Sequence, residues 1–133
     1  MKSPKNRLHN VMILGATPAG TAAANKLGEM GIPVTLVDGD RDLNEKLADD
    51  HYRLDSGVSF NYANRPGLIR IMRNPHIRCI MPAKVHKIRH SQQGFNVRIE
   101  KPQAFVDAER CTLCGKCLEI CPVENGNGIK PIR

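Results

Sequence analysis

Short apolar runs separated by glycine-containing turns organise the N-terminal part of the chain. Val11–Leu14 is a continuous apolar run, which is typical of a strand buried in a parallel sheet. Residues 19–30 carry apolar side chains at helical spacing, and Gly31 then provides a favourable helix stop. Residues 32–37 form a second apolar run that ends at an acidic residue. The pattern therefore predicts a βαβ unit.

The middle of the chain has weaker periodicity. Residues 40–50 are polar and compatible with a helix, whereas residues 51–64 have no clear period and predict irregular structure. Residues 68–72 predict a short helical element. Cys79 lies in an apolar segment that reads as a strand over residues 77–81, where a lone cysteine is expected to be a small buried apolar residue.

Two alternating segments follow, residues 85–89 and 95–99. The turn-forming residues 91–94 separate them, so we predict a β-hairpin with a four-residue loop. Lys101 and Pro102 end the hairpin and begin a linker.

Four of the five cysteines lie within eleven residues and are followed by Pro122. They are Cys111, Cys114, Cys117 and Cys121. The spacing C-x2-C-x2-C-x3-C-P is that of the bacterial ferredoxin-type iron–sulfur loop. Thiolates at this spacing favour an iron–sulfur cluster or zinc over hard cations, and zinc ribbons separate their two Cys pairs by a longer stretch. A [4Fe-4S] cluster is therefore predicted, with zinc as the alternative.

The fourth ligand of such a cluster is left open by the sequence. In paired motifs of this kind the first three cysteines bind one cluster and the fourth binds another. Only one such motif is present, so the fourth ligand could be Cys121, Cys79 or a residue supplied by a partner protein. Binding of a three-iron cluster is a further alternative.

The turn after the first apolar run resembles a dinucleotide-binding loop with one altered glycine. The candidate binding residues are Gly15, Thr17, Pro18, Ala19, Gly20 and Asp38. Gly15 permits the tight turn, Gly20 lets helix and strand approach, and an acid about 20 residues downstream accepts hydrogen bonds from a ribose. Thr17 occupies the position of the glycine that admits the pyrophosphate, so it either weakens dinucleotide binding or donates its hydroxyl to a phosphate. Retention of the unit for packing alone is the alternative.

Composition narrows the choice of partners and compartment. The net charge is +7, and no apolar run reaches the roughly 18 residues of a transmembrane helix. The charge is compatible with a solvated surface or with a basic face that docks an acidic partner protein. Nucleic acid is not expected, because basic residues are not interleaved with aromatic ones. Clustered thiols indicate a reducing compartment.

The first residues also have the outline of a signal peptide, with a basic arm, an apolar stretch and three consecutive alanines at 22–24. The βαβ interpretation explains the same residues and satisfies more constraints. We therefore predict a cytoplasmic protein.

Several segments in order resemble the flavin-carrying A subunit of heterodisulfide reductases. They are the βαβ unit with Pro18-Ala19-Gly20, Asn74-Pro75-His76-Ile77, Gly94-Phe95-Asn96-Val97, the approach Phe105-Val106-Asp107-Ala108-Glu109-Arg110 and the cysteine loop ending at Glu124. In that family a ferredoxin domain is inserted into a thioredoxin-reductase-like, FAD-binding domain. The resemblance implies FAD contacts at the glycine loop and Asp38, and cluster ligation by the four clustered cysteines.

The resemblance implies an α/β fold in two parts, a Rossmann-like half-domain with a β-hairpin at residues 1–104 and a ferredoxin-type motif at residues 105–133. Family members run to several hundred residues, so this chain matches a truncated portion. We expect a non-catalytic electron-transfer subunit or adaptor of a redox complex. The alternatives are a structural remnant held together by a cluster or zinc, and an FAD-binding subunit of an oxidoreductase.

Overall fold

The computed structural model describes residues 10–102, 106–107 and 110–124. The basic N-terminal arm with Lys2, Lys5 and Arg7, and Phe105 of the predicted approach to the cysteine loop, lie outside the described residues. The chain divides into two compact units, Met1–Lys101 and Pro102–Arg133.

A three-stranded parallel sheet forms the centre of the first unit. Strands β1 (Val11–Leu14), β2 (Val34–Val37) and β3 (Ile77–Ile80) lie in the order β1-β2-β3. Val34 of β2 is opposite Val11 on one side and Ile77 on the other. Parallel neighbours require long connections, and the helices of this unit provide them.

Helix α1 (Pro18–Glu29) connects β1 to β2. The connection from β2 to β3 contains α2 (Leu43–Leu47), a 3-10 helix (Asp50–Tyr52), α3 (Phe60–Ala63) and α4 (Arg65–Arg73). The βαβ prediction and the α/β fold class are confirmed.

The prediction of irregular structure over residues 51–64 is wrong at both ends of the segment. The 3-10 helix begins where the Asp49 side chain accepts a hydrogen bond from the His51 N–H at 2.8 Å. Helix α3 forms where Phe60 packs against the core. Burial of Tyr52 and Phe60 against distant residues stabilises these turns, and a local apolar period does not record such contacts.

The core is aliphatic and lies between one face of the sheet and the helices. Its buried members are Ala16, Ala24, Val34, Leu36, Leu43, Leu47, Leu68 and Ile71. Ile13 and Ile77 on the neighbouring strands pack against this cluster, so alternate residues of all three strands share the helix-covered face.

Strands β4 (Lys84–Ser91) and β5 (Gly94–Glu100) form a separate antiparallel hairpin. The hairpin is predicted correctly, but its loop has two residues rather than four. Ser91 pairs with Gly94 in the ladder, and the Ser91 hydroxyl donates to the Gly94 carbonyl at 3.1 Å. Gly94 has a φ of 132°, a conformation that permits this tight connection.

Candidate metal centre and nucleotide-binding loop

The clustered cysteines lie in the second unit, on a turn and the short helix α5 (Lys116–Ile120). Cys117 lies within the helix, and the N–H of Cys121 at its C-terminal end donates to the Cys117 carbonyl at 3.2 Å. Before the turn, the N–H of Cys111 donates to the Asp107 carbonyl at 2.9 Å. Local backbone hydrogen bonds therefore hold both ends of the motif.

Two residues with positive φ flank Cys114. Leu113 has a φ of 58° and Gly115 a φ of 77°. Glycine tolerates this region because it has no Cβ, whereas leucine adopts it rarely. Backbone conformations of this kind cluster at ligand sites, where surrounding contacts impose them. The chain consequently bends on both sides of the Cys114 thiol, and Leu113 itself is 90% exposed.

Hydrogen bonding favours the thiolate form of Cys114. The backbone N–H of Lys116 and the side chain of Thr112 lower the pKa of the Cys114 thiol below its ordinary value. Cys111, Cys114 and Cys117 are exposed, whereas Cys121 is 8% exposed and its Sγ lies 3.7 Å from the Val123 carbonyl oxygen. Three accessible thiols thus differ in environment from the fourth.

The donor set of the loop fits an iron–sulfur cluster in type, number and spacing. Four thiols, with an N–H donor directed at one of them, are the groups that bind such a cluster and tune its reduction potential. Among the described residues, however, no three His, Cys, Asp or Glu side chains are grouped closely enough to hold a metal ion. The loop therefore brings the four cysteines together along the chain without arranging them around one point.

Cys79 lies on strand β3, in the first unit. The expectation that it is buried is wrong, because β3 is the outer strand of the sheet and leaves the side chain exposed. Desolvation by its neighbours still raises the pKa of the Cys79 thiol above its ordinary value.

The glycine loop between β1 and α1 has the close backbone approach expected of a nucleotide-binding turn. Gly15 has a φ of 105°. A Cβ on residue 20 would lie 2.0 Å from the Gly15 carbonyl oxygen, so only glycine fits there. Ala16, between these positions in the chain, is fully buried. The turn is thus built as the sequence predicts for Gly15 and Gly20.

Thr17 caps helix α1 with its own side chain. Its hydroxyl accepts a hydrogen bond from the Gly20 N–H at 3.2 Å, and Pro18 follows in the first turn without an N–H. One backbone donor that faces outward from a helix start is therefore used internally, and another is missing. Of the residues after the cap, Ala19 retains an N–H at the helix start.

Asp38 lies at the end of β2, as predicted, and its carboxylate is bound within the protein. One oxygen accepts from the Ala16 N–H at 2.7 Å and the other from the Asp40 N–H at 3.0 Å. The Lys46 ammonium lies 3.5 Å from Asp38 and 2.9 Å from Asp40. The Asp38 carboxylate thus joins the glycine loop to β2, and Lys46 lies beside the position expected for a ribose.

Sequence analysis did not identify Lys46 as part of this site. The available signal was a single cation within a run of acidic residues after β2. Its contact with Asp38 depends on how α2 folds back toward the strand, which composition does not reveal.

The environment of Asp38 makes stability pH-dependent. Burial raises the pKa of this carboxyl, but the Asp40 and Ala16 N–H groups and Lys46 outweigh it and hold the pKa below 3.8. A depressed folded-state pKa stabilises the fold above 3.8, and this contribution is lost as the pH falls through the folded value.

We expect Asp38→Asn to lower the free energy of unfolding by about 1–3 kcal/mol at neutral pH, because it removes a charged acceptor from buried donors. Urea unfolding should show that the difference from wild type shrinks below pH 3.8. Asp55→Asn, at an exposed position, is the matched control. An Asp38→Asn deficit that stays constant down to about pH 2 would contradict the assignment.

These features define an α/β unit of the nucleotide-binding type followed by a ferredoxin-type motif. Residues 104–124 match the family described as "4Fe-4S binding domain". The fold is similar to that of a crystal structure described as a thioredoxin reductase, TrxB from Bacillus anthracis. The TM-score is 0.52 at 22% identity, and the match covers 69% of this chain and 31% of that one.

Homology to the A subunits of heterodisulfide reductases is confirmed. The chain is 30% identical over 120 residues to the second of two iron–sulfur A subunits of the CoB–CoM heterodisulfide reductase of Methanopyrus kandleri. It is 31% identical over 116 residues to the A subunit of the H(2)/formate:CoB–CoM heterodisulfide,ferredoxin reductase of Methanococcus maripaludis. Each match covers 87% of this chain and 18% of the relative, so the chain spans less than a fifth of their length.

Among the described residues, no helix is both long enough and apolar enough to cross a bilayer.

Proposed function

We propose that this chain is an electron-transfer subunit that carries one [4Fe-4S] cluster within a heterodisulfide reductase-like redox complex. The observation that carries the proposal is the four-cysteine loop, whose residues fall within the segment that matches a 4Fe-4S binding domain. When bound, a cluster of this kind supplies one-electron transfer. The protein contributes the ligands, their hydrogen bonds and the position of the cluster.

Cys111, Cys114 and Cys117 are proposed as three ligands. Their exposure leaves the sulfur atoms accessible for ligation, and the Lys116 N–H stabilises negative charge on Cys114. Cys121 is proposed as the fourth ligand, with Cys79 and a partner residue as the alternatives.

Anaerobic reconstitution of the purified chain with iron and sulfide tests the proposal. The expected product has about four iron and four sulfide per chain and an EPR signal after reduction with dithionite. About three iron per chain would indicate a three-iron cluster and an open fourth position. Stoichiometric zinc without iron, after purification from a zinc- and iron-containing medium, would instead favour a structural staple and contradict electron transfer.

FAD binding is a second candidate function, and the backbone of the glycine loop favours it. The approach of Gly20 to Gly15 and the position of Asp38 suit the adenosine half of a dinucleotide, whereas Thr17 and Lys46 occupy parts of the same surface. A chain that carried both groups would be an oxidoreductase component rather than a one-cluster adaptor.

The change Thr17→Gly tests what limits flavin binding. It frees the Gly20 N–H and removes the branched side chain, while a glycine cap costs the helix only a few tenths of a kcal/mol. We expect FAD titration, followed by fluorescence quenching, to give at least about tenfold tighter binding than wild type. Thr17→Ser, which keeps the capping hydroxyl, is the control. Equal affinity of both variants would exclude Thr17 as the limiting residue.

The partners are proposed to be other subunits of the redox complex, in the cytoplasm, as expected for clustered thiols in a reducing compartment. The hairpin offers a basic docking face for an acidic partner, with the largely exposed residues Lys84, Lys87, Arg89 and Arg98. Association that does not weaken as salt is raised would contradict this electrostatic contact.

A further inference from the structure

Strand β1 is an outer strand of the sheet in the described part of the chain. The N–H groups of Val11 and Gly15 donate to the Pro33 and Val37 carbonyls of the β2 side at 2.9 Å and 2.8 Å. Alternate residues of a strand direct their backbone groups to opposite sides. Met12 and Leu14 therefore direct their N–H and C=O groups away from β2, along an open edge.

The side chains of β1 are those of a central strand. Val11–Leu14 is apolar throughout, and Leu14 is 51% exposed. Protected edge strands usually carry charges, proline or a bulge, and β1 has none of these. In doubly wound sheets the first strand is flanked on both sides, and the ligand crevice lies beside it, where the strand order reverses. The observed sheet stops at that point.

We propose that the open edge of β1 pairs with a parallel, apolar strand of a second polypeptide whose flanking residues are acidic. The proposed strand would accept and donate hydrogen bonds at Met12 and Leu14. Its C-terminal end would lie beside Gly15 and form the second wall of the crevice at the glycine loop. The pairing itself does not depend on the cluster or on FAD.

The composition of the chain favours a foreign strand over other occupants. Residues 1–9 and 125–133 contain no run of apolar residues, and the second of these segments is interrupted by glycine and proline. A second copy would bring together two chains of net charge +7. Three cations precede β1 in the sequence, Lys2, Lys5 and Arg7, so acidic flanks on the incoming strand are complementary in charge.

The probe is a synthetic peptide of four valines flanked at each end by two glutamates. Amide exchange of the 133-residue chain is measured by NMR with and without it. Without peptide, the Ile13 amide should exchange slowly and those of Met12 and Leu14 quickly. With saturating peptide, the Met12 and Leu14 amides should slow by at least about tenfold. A peptide with proline at alternate valine positions is the control, because it lacks the donors for a ladder.

Two variants make the test specific to the edge. Met12→Pro removes an outward N–H, and we expect it to lower peptide affinity at least about tenfold, whereas Met12→Ala retains binding. Leu14→Glu keeps the backbone groups and repels the acidic flanks, so it remains informative if the proline variant does not fold.

A spin label on the N-terminus of the peptide reports the direction of pairing. Parallel pairing should broaden resonances near Val11, and broadening near Gly15 instead would overturn the parallel arrangement. Unchanged exchange at Met12 and Leu14 with peptide would overturn the proposal. Protection of both amides without peptide, rising with protein concentration together with a dimer mass, would overturn it in favour of a second copy.

Discussion

Replacement of Cys114 by alanine should lower the iron content of the reconstituted chain from about four to below about one per chain. Cys114 lies between two positive-φ residues, and the Lys116 N–H donates to its sulfur. Alanine removes both the ligand and the acceptor of that hydrogen bond. Iron and sulfide analysis after anaerobic reconstitution measures the loss, and EPR of the reduced sample shows whether a residual cluster remains.

The control for this experiment is Ile120→Ala, in the same short helix. Ile120 is 79% exposed and has no sulfur ligand to lose, so iron content should match wild type. Full iron content in Cys114→Ala would contradict the assignment of the loop as the cluster site.

The same measurement on two further variants addresses the fourth ligand. If Cys121 is that ligand, Cys121→Ala should lose iron and Cys79→Ala should retain it. The reverse result would assign the role to Cys79 on β3. Retention of iron by both variants would assign it to a partner residue or to a three-iron cluster.

Gly20→Ala should destabilise the first unit by about 3 kcal/mol or more. The added Cβ would lie 2.0 Å from the Gly15 carbonyl oxygen and 3.4 Å from a side-chain carbon of Ile13. The closest of these atoms belongs to the backbone, so a rotamer change cannot relieve the clash. Helix α1 would have to move away from β1, which would disrupt the packing of the buried Ala24. Urea denaturation followed by circular dichroism measures the loss.

Gly39→Ala is the matched control. The nearest atom to an added Cβ there is the Ala83 carbonyl oxygen at 4.0 Å, and no positive φ is required. Its effect should stay within about 0.5 kcal/mol of wild type. Equal stabilities for the two variants would show that the turn relaxes easily and that Gly20 is not needed for close packing.

The elements predicted correctly are those with a strong local cause. The run Val11–Leu14, the helix-stop glycine and the second apolar run are each legible within a few residues, and they specify β1, α1 and β2. The cysteine spacing is similarly local, since ligands that must meet at one cluster are encoded as distances along the chain. The wrong predictions concern contacts between distant segments, such as the packing of Phe60 that supports α3.

For the candidate site, Asp38 illustrates the division. Its identity and distance from Gly15 were sufficient to place it at the end of β2. They could not reveal that the Ala16 N–H and Lys46 already bind its carboxylate, because those contacts require the glycine loop and α2 to meet around the strand.

Local patterns of apolar residues, glycines and cysteines were thus enough to establish the βαβ unit, the hairpin and the metal-binding loop, because short-range backbone preferences and ligand spacing act within neighbouring residues. Only the tertiary structure decided that β1 has an open edge, that Cys79 is exposed on an outer strand and that Lys46 lies beside Asp38. Strand order and side-chain partners arise when segments far apart in the chain pack together, and no short stretch of sequence encodes that packing alone.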